Sequence, residues 1–419
     1  MTDQKLTEPA HAAPSIHQPV PALSPVRAFF VQRWPSVLFA AGIVLALFVI
    51  AYVVHGNGQA RTALSLLFGA AFGIVLQRAR FCFFCMFREW FDERDPRGLS
   101  GLLVALAVGV IGTFLVFGAW LPDASTGRLP PDAFIGPVGL ALVLAGLAFG
   151  AGMAISGSCV SAHLYRLGEG SPTAPFALIG ALLGFILGFV SWNPIYLALI
   201  ADAPVIWLPK YLGYAGALIA SAAGLSVVAY AIHRNRAWPH LAPPADTFTA
   251  IFIARWPAWI GGAIIGVLAT LSYLRVAPLG VTAEIGARAR QLAGAAGIAP
   301  TRLEGLDSLR GCIAVVRDLA LSDNGVFILG LIAASFAAAL VAGQFRPAWP
   351  SVRQIVQGLV GGALLGWGAM IGLGCTVGTL FSGISAGALS GWVFAASVFG
   401  GTAIMLWGGR RAGLLLRPR

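Results

Sequence analysis

Nine stretches of about twenty apolar residues run through the chain, at 35–55, 99–120, 137–156, 173–199, 211–232, 257–275, 325–343, 354–373 and 387–407. Each is long enough to cross a hydrocarbon layer ~30 Å thick as a helix. In lipid, only helices or closed barrels satisfy every backbone polar group. Barrel strands alternate polar and apolar residues, and these runs do not. Composition agrees: of 419 residues, 58% are hydrophobic and 10% charged. Soluble domains are about 45–50% apolar and about 25% charged. The expected fold class is an all-α polytopic membrane protein of about nine transmembrane helices. Soluble, disordered and disulfide-scaffold classes are excluded.

Two further apolar stretches, 62–77 and 281–294, are short and end at Arg78-Ala79-Arg80 and Arg288-Ala289-Arg290. Their length predicts re-entrant segments, not spans. Residues 1–33 are polar and Pro-rich and read as a disordered tail. A polar linker covers 233–256, a polar insertion 295–323, and a basic tail 410–419. Lys+Arg exceed Asp+Glu by 27 − 16 = +11. The arginines are scattered between apolar runs, which points to anionic solutes and membrane lipid and not to nucleic acid.

The chain repeats itself. At an offset of 216, Gly150 meets Gly366, Cys159 meets Cys375 and Leu164 meets Leu380. The two Arg-Ala-Arg triplets match at 210. The expected organisation is a first repeat over 34–200, a connector over 201–256 and a second repeat over 257–409. Four spans per half and one connecting helix make an odd number, so the second half is expected to be inverted. Transporters built this way place their sites at the repeat interface.

There are five cysteines, Cys82, Cys85, Cys159, Cys312 and Cys375. An odd count in apolar or Gly-rich sequence is not a disulfide framework. Cys159 and Cys375 close equivalent Gly-rich loops, the second reading Gly374-Cys375-Thr376-Val377-Gly378-Thr379. Dense glycine breaks a helix, and a new short helix can start after each Cys, with Ser161 and Thr376 as expected caps. Two such half-helix N-termini form an anion site without metal. A thiol is a soft, weak donor suited to passing a sulfur anion on. Cys82 and Cys85, at i and i+3, are expected on one helix face, with Arg80 or Arg88 gathering anions at a pore mouth. A zinc or redox reading of this pair lacks a second CxxC and a nearby His. His163 is a candidate ligand or proton group, and Arg166 and Glu169 are near-membrane charges. Cys312 has no repeat partner and reads as incidental.

These residues resemble the YeeE/YedE family of sulfur-transport membrane proteins. The resemblance rests on Gly374 to Leu380 with Ser382-Gly383-Ile384 and Ser390-Gly391-Trp392. It also rests on Cys159 followed by Leu164-Tyr165-Arg166-Leu167-Gly168-Glu169-Gly170, and on Arg80-Phe81-Cys82 before Arg88. It covers the chain from about residue 62 onward. It implies an hourglass of inverted halves in which cysteines pass thiosulfate through a narrow centre. Cys82 or Cys85 would stand at the outer mouth, Cys159 at the constriction and Cys375 beyond it. It also implies a separate cytosolic sulfur-carrier protein of the TusA type as partner. One departure is Cys159-Val160-Ser161-Ala162-His163, where family loops run closer to Cys-x-x-Gly-Thr.

The expected function is uptake of a small sulfur-containing anion, thiosulfate first, across a bacterial inner membrane. The candidate contacts are Cys159, Cys375, Cys82, Cys85, Thr376, Gly374, Ser161, His163 and Arg80. No cofactor or enzymatic activity is expected, and no GxxxxGK[ST] motif for ATP is present. The alternatives are transport of another sulfur or selenium oxyanion, or a membrane thiol enzyme handling sulfane sulfur covalently.

Overall fold

A computed structural model describes residues 25–234, 236, 247–300, 302–306 and 321–413, with backbone alone for 25–33. The long helices are α1 (Pro25–Gly56), α2 (Ala60–Ala79), α4 (Arg97–Trp120), α5 (Leu140–Ser156), α7 (Ala174–Ile195), α8 (Leu208–Arg234), α9 (Ala258–Arg275), α11 (Asp323–Ala342), α12 (Val352–Ile371) and α14 (Leu389–Arg411). Four shorter ones lie between them: α3 (Phe83–Glu93), α6 (Val160–Gly168), α10 (Ala283–Ala295) and the single turn α13 (Gly383–Ser385). A π-helical stretch, Thr376–Ser382, leads into α13. Apolar runs make these helices, and local chemistry sets their ends. Ser351 and Gln354 form a capping box at the start of α12. Gly157 ends α5 with φ 82°, a left-handed conformation that glycine adopts without a Cβ penalty.

Among the described residues, ten helices are long and apolar enough to cross a membrane. The chain is an all-α polytopic membrane protein. All nine expected spans are among the ten. The additional one contains 62–77, which had been expected to be short. There the helix continues to Ala79 through Gln77 and Arg78, which are 0% and 4% exposed. Hydropathy ends a span at such residues, whereas burial inside the protein lets it continue. The other short stretch stays short, as the 13-residue α10. The expected N-terminal tail is occupied by helix from Pro25 onward, while residues 1–24 lie outside the described residues. Most of the 295–323 insertion, Cys312 included, also lies outside them.

The helix pairings obey a twofold pattern. The α7–α12 contact has its counterpart in α14–α5, and α2–α11 has its counterpart in α9–α4. α5 with α12, and α2 with α9, meet across the two halves. In this correspondence α3 matches α10, and α6 matches the Thr376–Ser385 segment. The Arg-Ala-Arg triplets do not correspond, contrary to the sequence alignment. The first ends α2, whereas the second lies inside α10.

Helices in lipid gain nothing by hiding apolar surface from apolar tails, so close backbone packing must hold them together. At α7–α12 a Cβ on Gly184 would stand 2.0 Å from the Ala363 carbonyl oxygen. A Cβ on Gly366 would stand 2.0 Å from that of Ala181. The contact is therefore backbone against backbone in both directions. Gly184→Leu is expected to destabilise the fold by about 1–3 kcal/mol or more through overpacking. Gly42→Leu, with nothing within 4 Å of its Cβ position, is expected to leave it intact. Thermal unfolding of the detergent-purified variants, followed by tryptophan fluorescence, checks the difference.

Candidate functional site

Each of three helical breaks begins with a cysteine. Cys82 is the N-cap of α3, Cys159 of α6, and Cys375 of the Thr376–Ser382 stretch. All three are 0% exposed. Ser161 and Thr376 were the expected caps, and the structure corrects this. The extended backbone that precedes a helix falls on the cysteines themselves, with φ −79° and ψ 172° at Cys159. Cys82 and Cys85 likewise do not share a helix face. Cys82 stands before the helix, and its Sγ accepts from the Cys85 N–H at 3.5 Å.

Sulfur is a weak acceptor, so a cysteine cap leaves a helix N-terminus largely unneutralised. Two such N-termini meet at Cys159. The N–H groups of Phe83, the first residue of α3, and of Ala162 on α6 both face its Sγ. Cys82 neighbours Cys159 and Cys85. Ser161 Oγ lies 3.3 Å from Cys159 Sγ. Arg166 Nη2 donates to Cys85 Sγ at 3.1 Å, and its Nη1 donates to Gly157 O at 3.3 Å. The structure thus gathers Cys82, Cys85, Cys159 and Ser161 around two converging helix starts, with Arg166 behind them.

The second break is a smaller cluster. The Thr376 hydroxyl, beside Cys375, is buried and has no partner. Gly374 acts by being small: a Cβ there would stand 2.6 Å from Thr379 Oγ1. Its N–H is already committed to Ala369 O at 2.8 Å. Two cavities of about 20 Å³ each lie near this break, the first lined by Phe134, Thr379 and Ser390, the second by Phe134, Thr113 and Ser385. Each has room for about one water.

His163 and Arg80 stand apart from the sulfur cluster. His163 Nε2 bonds Ser156 Oγ at 3.1 Å. Thr379 Oγ1 donates to Gly372 O at 2.9 Å. Both bonds reach seven residues back, so each ties a short helix to the end of the preceding long one. Arg80 is exposed at the end of α2, in a left-handed conformation with φ 49°. Gln77 makes a buried tie, beside this region, that sequence reasoning missed. It donates to Glu169 Oε1 at 3.3 Å and to Gln344 Oε1 at 2.6 Å. A lone amide within an apolar run was the available signal.

The cluster geometry makes a direct prediction. A chain with Cys85→Ser, Cys312→Ser and Cys375→Ser keeps Cys82 and Cys159 as neighbours. Mild iodine oxidation is expected to join them in one disulfide, since close Cβ atoms are what a disulfide requires. Mass spectrometry of the linked peptide checks it, and its absence would contradict the convergence of α3 and α6.

Comparison with known proteins gives this geometry a context. The family described as Sulphur transport matches residues 78–404. A thiosulfate transporter TsuA from Spirochaeta thermophila is 30% identical over 347 residues, 80% of this chain and 94% of its own. A thiosulfate transporter TsuA from Escherichia coli is 28% identical over 339 residues, 75% of this chain and 84% of its own. A probable transporter YedE from Escherichia coli is 29% identical over 161 residues, 38% of each chain. The match begins at the end of α2 and runs into α14, enclosing all three cysteine-capped breaks, and the chain belongs to the Sulphur transport family.

Proposed function

We propose that the protein imports a small sulfur-containing anion, thiosulfate first, across a bacterial inner membrane. The observation that carries this reading is the convergence of two cysteine-capped helix starts on Cys159. Unneutralised N–H groups and aligned dipoles offset the negative charge. The thiols offer the terminal sulfur soft contacts that are individually weak, so the ion can leave as well as enter. Cys82 and Cys85 form the entrance contacts, Cys159 the constriction, and Cys375 with Thr376 the contact beyond it. Arg166 supplies positive charge behind Cys85. The relatives named as thiosulfate transporters support the substrate.

With α1 outside the repeat, four long helices in each half (α2, α4, α5, α7 and α9, α11, α12, α14) and α8 between them make an odd number of crossings. The second half therefore enters from the opposite side, and the two cysteine breaks approach the centre from opposite faces. A separate sulfur-carrier protein of the TusA type fits as the cytosolic acceptor.

Relatives named as transporters support transport over covalent sulfur chemistry at Cys159. The test is growth on thiosulfate of a bacterium lacking sulfate uptake, with labelled-thiosulfate uptake measured alongside. Wild type is expected to support both. Cys159→Ala and Cys375→Ala, present in the membrane at equal levels, are expected to reduce uptake by roughly tenfold or more, the scale of a ~1.4 kcal/mol loss. Uptake equal to wild type in both variants would remove the cysteines from the path.

A further inference from the structure

The sulfur cluster leaves one buried charge unexplained. Arg78, in the last turn of α2, is 4% exposed. Its Nη2 donates to Ala254 O. Its Nε and Nη1 are buried and have no partner. A guanidinium carries five N–H donors and stays charged, so the Nε proton and both Nη1 protons are unmet.

The neighbourhood adds positive charge. Arg80 is the charge that acts on Arg78 most directly, with like sign. The segment 254–257 straps the end of α2: Trp256 N–H donates to Arg78 O at 2.9 Å, and Arg255 Nε donates to Ala79 O at 3.3 Å. Arg255 also pairs with Glu89 of α3 at 3.7 Å. No carboxylate among the described residues pairs with Arg78. Burying a charge without a partner is strongly unfavourable. A snorkelling arginine escapes this by extending its head to water, but this head group is enclosed.

We propose that Arg78 is the core of an oxyanion-binding site beneath the 254–257 strap. A small tetrahedral oxyanion accepts from Nε and Nη1 and supplies the missing negative charge. Arg78 lies four residues before Cys82, so an oxyanion held there stands close in sequence to the sulfur cluster. Thiosulfate as the occupant rests on the transport reading above. A phospholipid phosphate offers the same chemistry from the membrane side.

The test uses the full chain in detergent, with thermal unfolding followed by tryptophan fluorescence. Sodium thiosulfate is titrated against sodium chloride at matched ionic strength. Thiosulfate is expected to stabilise wild type. Arg78→Gln is expected to bind about 10–100-fold more weakly, the range for a charged hydrogen-bonding group. Should Arg78→Gln fail to fold, Arg78→Lys serves in its place. It keeps the charge, loses the planar donors, and is expected to weaken binding at least several-fold. In parallel, the proteins are compared in phosphatidylcholine discs with and without phosphatidylglycerol. Stabilisation by phosphatidylglycerol alone, lost with Arg78, supports the site and assigns it to lipid phosphate. An equal response of wild type and the Arg78 variant to every oxyanion in both settings overturns it. Anion binding that survives where thiosulfate uptake is absent retains this site and removes the transport reading. Uptake that depends on Cys159 without Arg78-dependent binding does the reverse.

Discussion

A helix interrupted inside a bilayer exposes N–H groups that lipid cannot satisfy. The rest of this structure follows from keeping three such interruptions away from lipid. The ring around them is made of long helices in backbone contact, α7 against α12 and α5 against α14. Glycines such as Gly184 and Gly366 allow that approach because a Cβ in either place would overlap a carbonyl of the facing helix. Small residues are thus a condition for the site. Wider spacing would admit lipid to Cys82, Cys159 and Cys375, all of which are fully enclosed.

Inside that ring, the choice of cap decides the electrostatics. A serine or aspartate at the N-cap would accept from the first free N–H groups and reduce the positive end of the helix. A cysteine starts the helix while leaving most of that potential available. The two halves then use different side chains for the same purpose. His163 and Thr379 each tie a short helix to the residue seven positions back, one through Ser156 and the other through the Gly372 carbonyl. The departure at His163 thus preserves a structural tie that a threonine makes elsewhere in the same chain.

The sequence made the spans legible because a run of apolar residues admits little besides a helix in lipid. It also made the Cys159–Cys375 equivalence legible, since spacing survives where identity drifts. It was silent where burial decides. α2 outlasts its apolar run because Gln77 and Arg78 are covered by protein, and no window of residues records that. The Arg-Ala-Arg triplets aligned by letter yet occupy a helix end and a helix interior, since a three-residue match carries little structural information. The caps were misassigned for a related reason: Ser161 and Thr376 are better capping residues than cysteine, but backbone geometry put the extended residue one or two positions earlier. Arg166 stood out in the sequence as a near-membrane charge and Arg78 only as part of a triplet, and the fold alone shows that one meets a thiol and the other meets no acid among the described residues.

The complete enclosure of the three capping thiols has a consequence for discrimination. No bulk water reaches them, so on the transport path proposed above a solute arriving at Cys159 would already have shed its shell there. For an anion bearing one terminal sulfur, the weakly hydrated end is the first to come bare, and it is also the end that a thiol can meet. A fully oxygenated dianion of the same size holds its water evenly on every side and has no such leading face. In the proposed passage, selection would then begin with the order in which water departs.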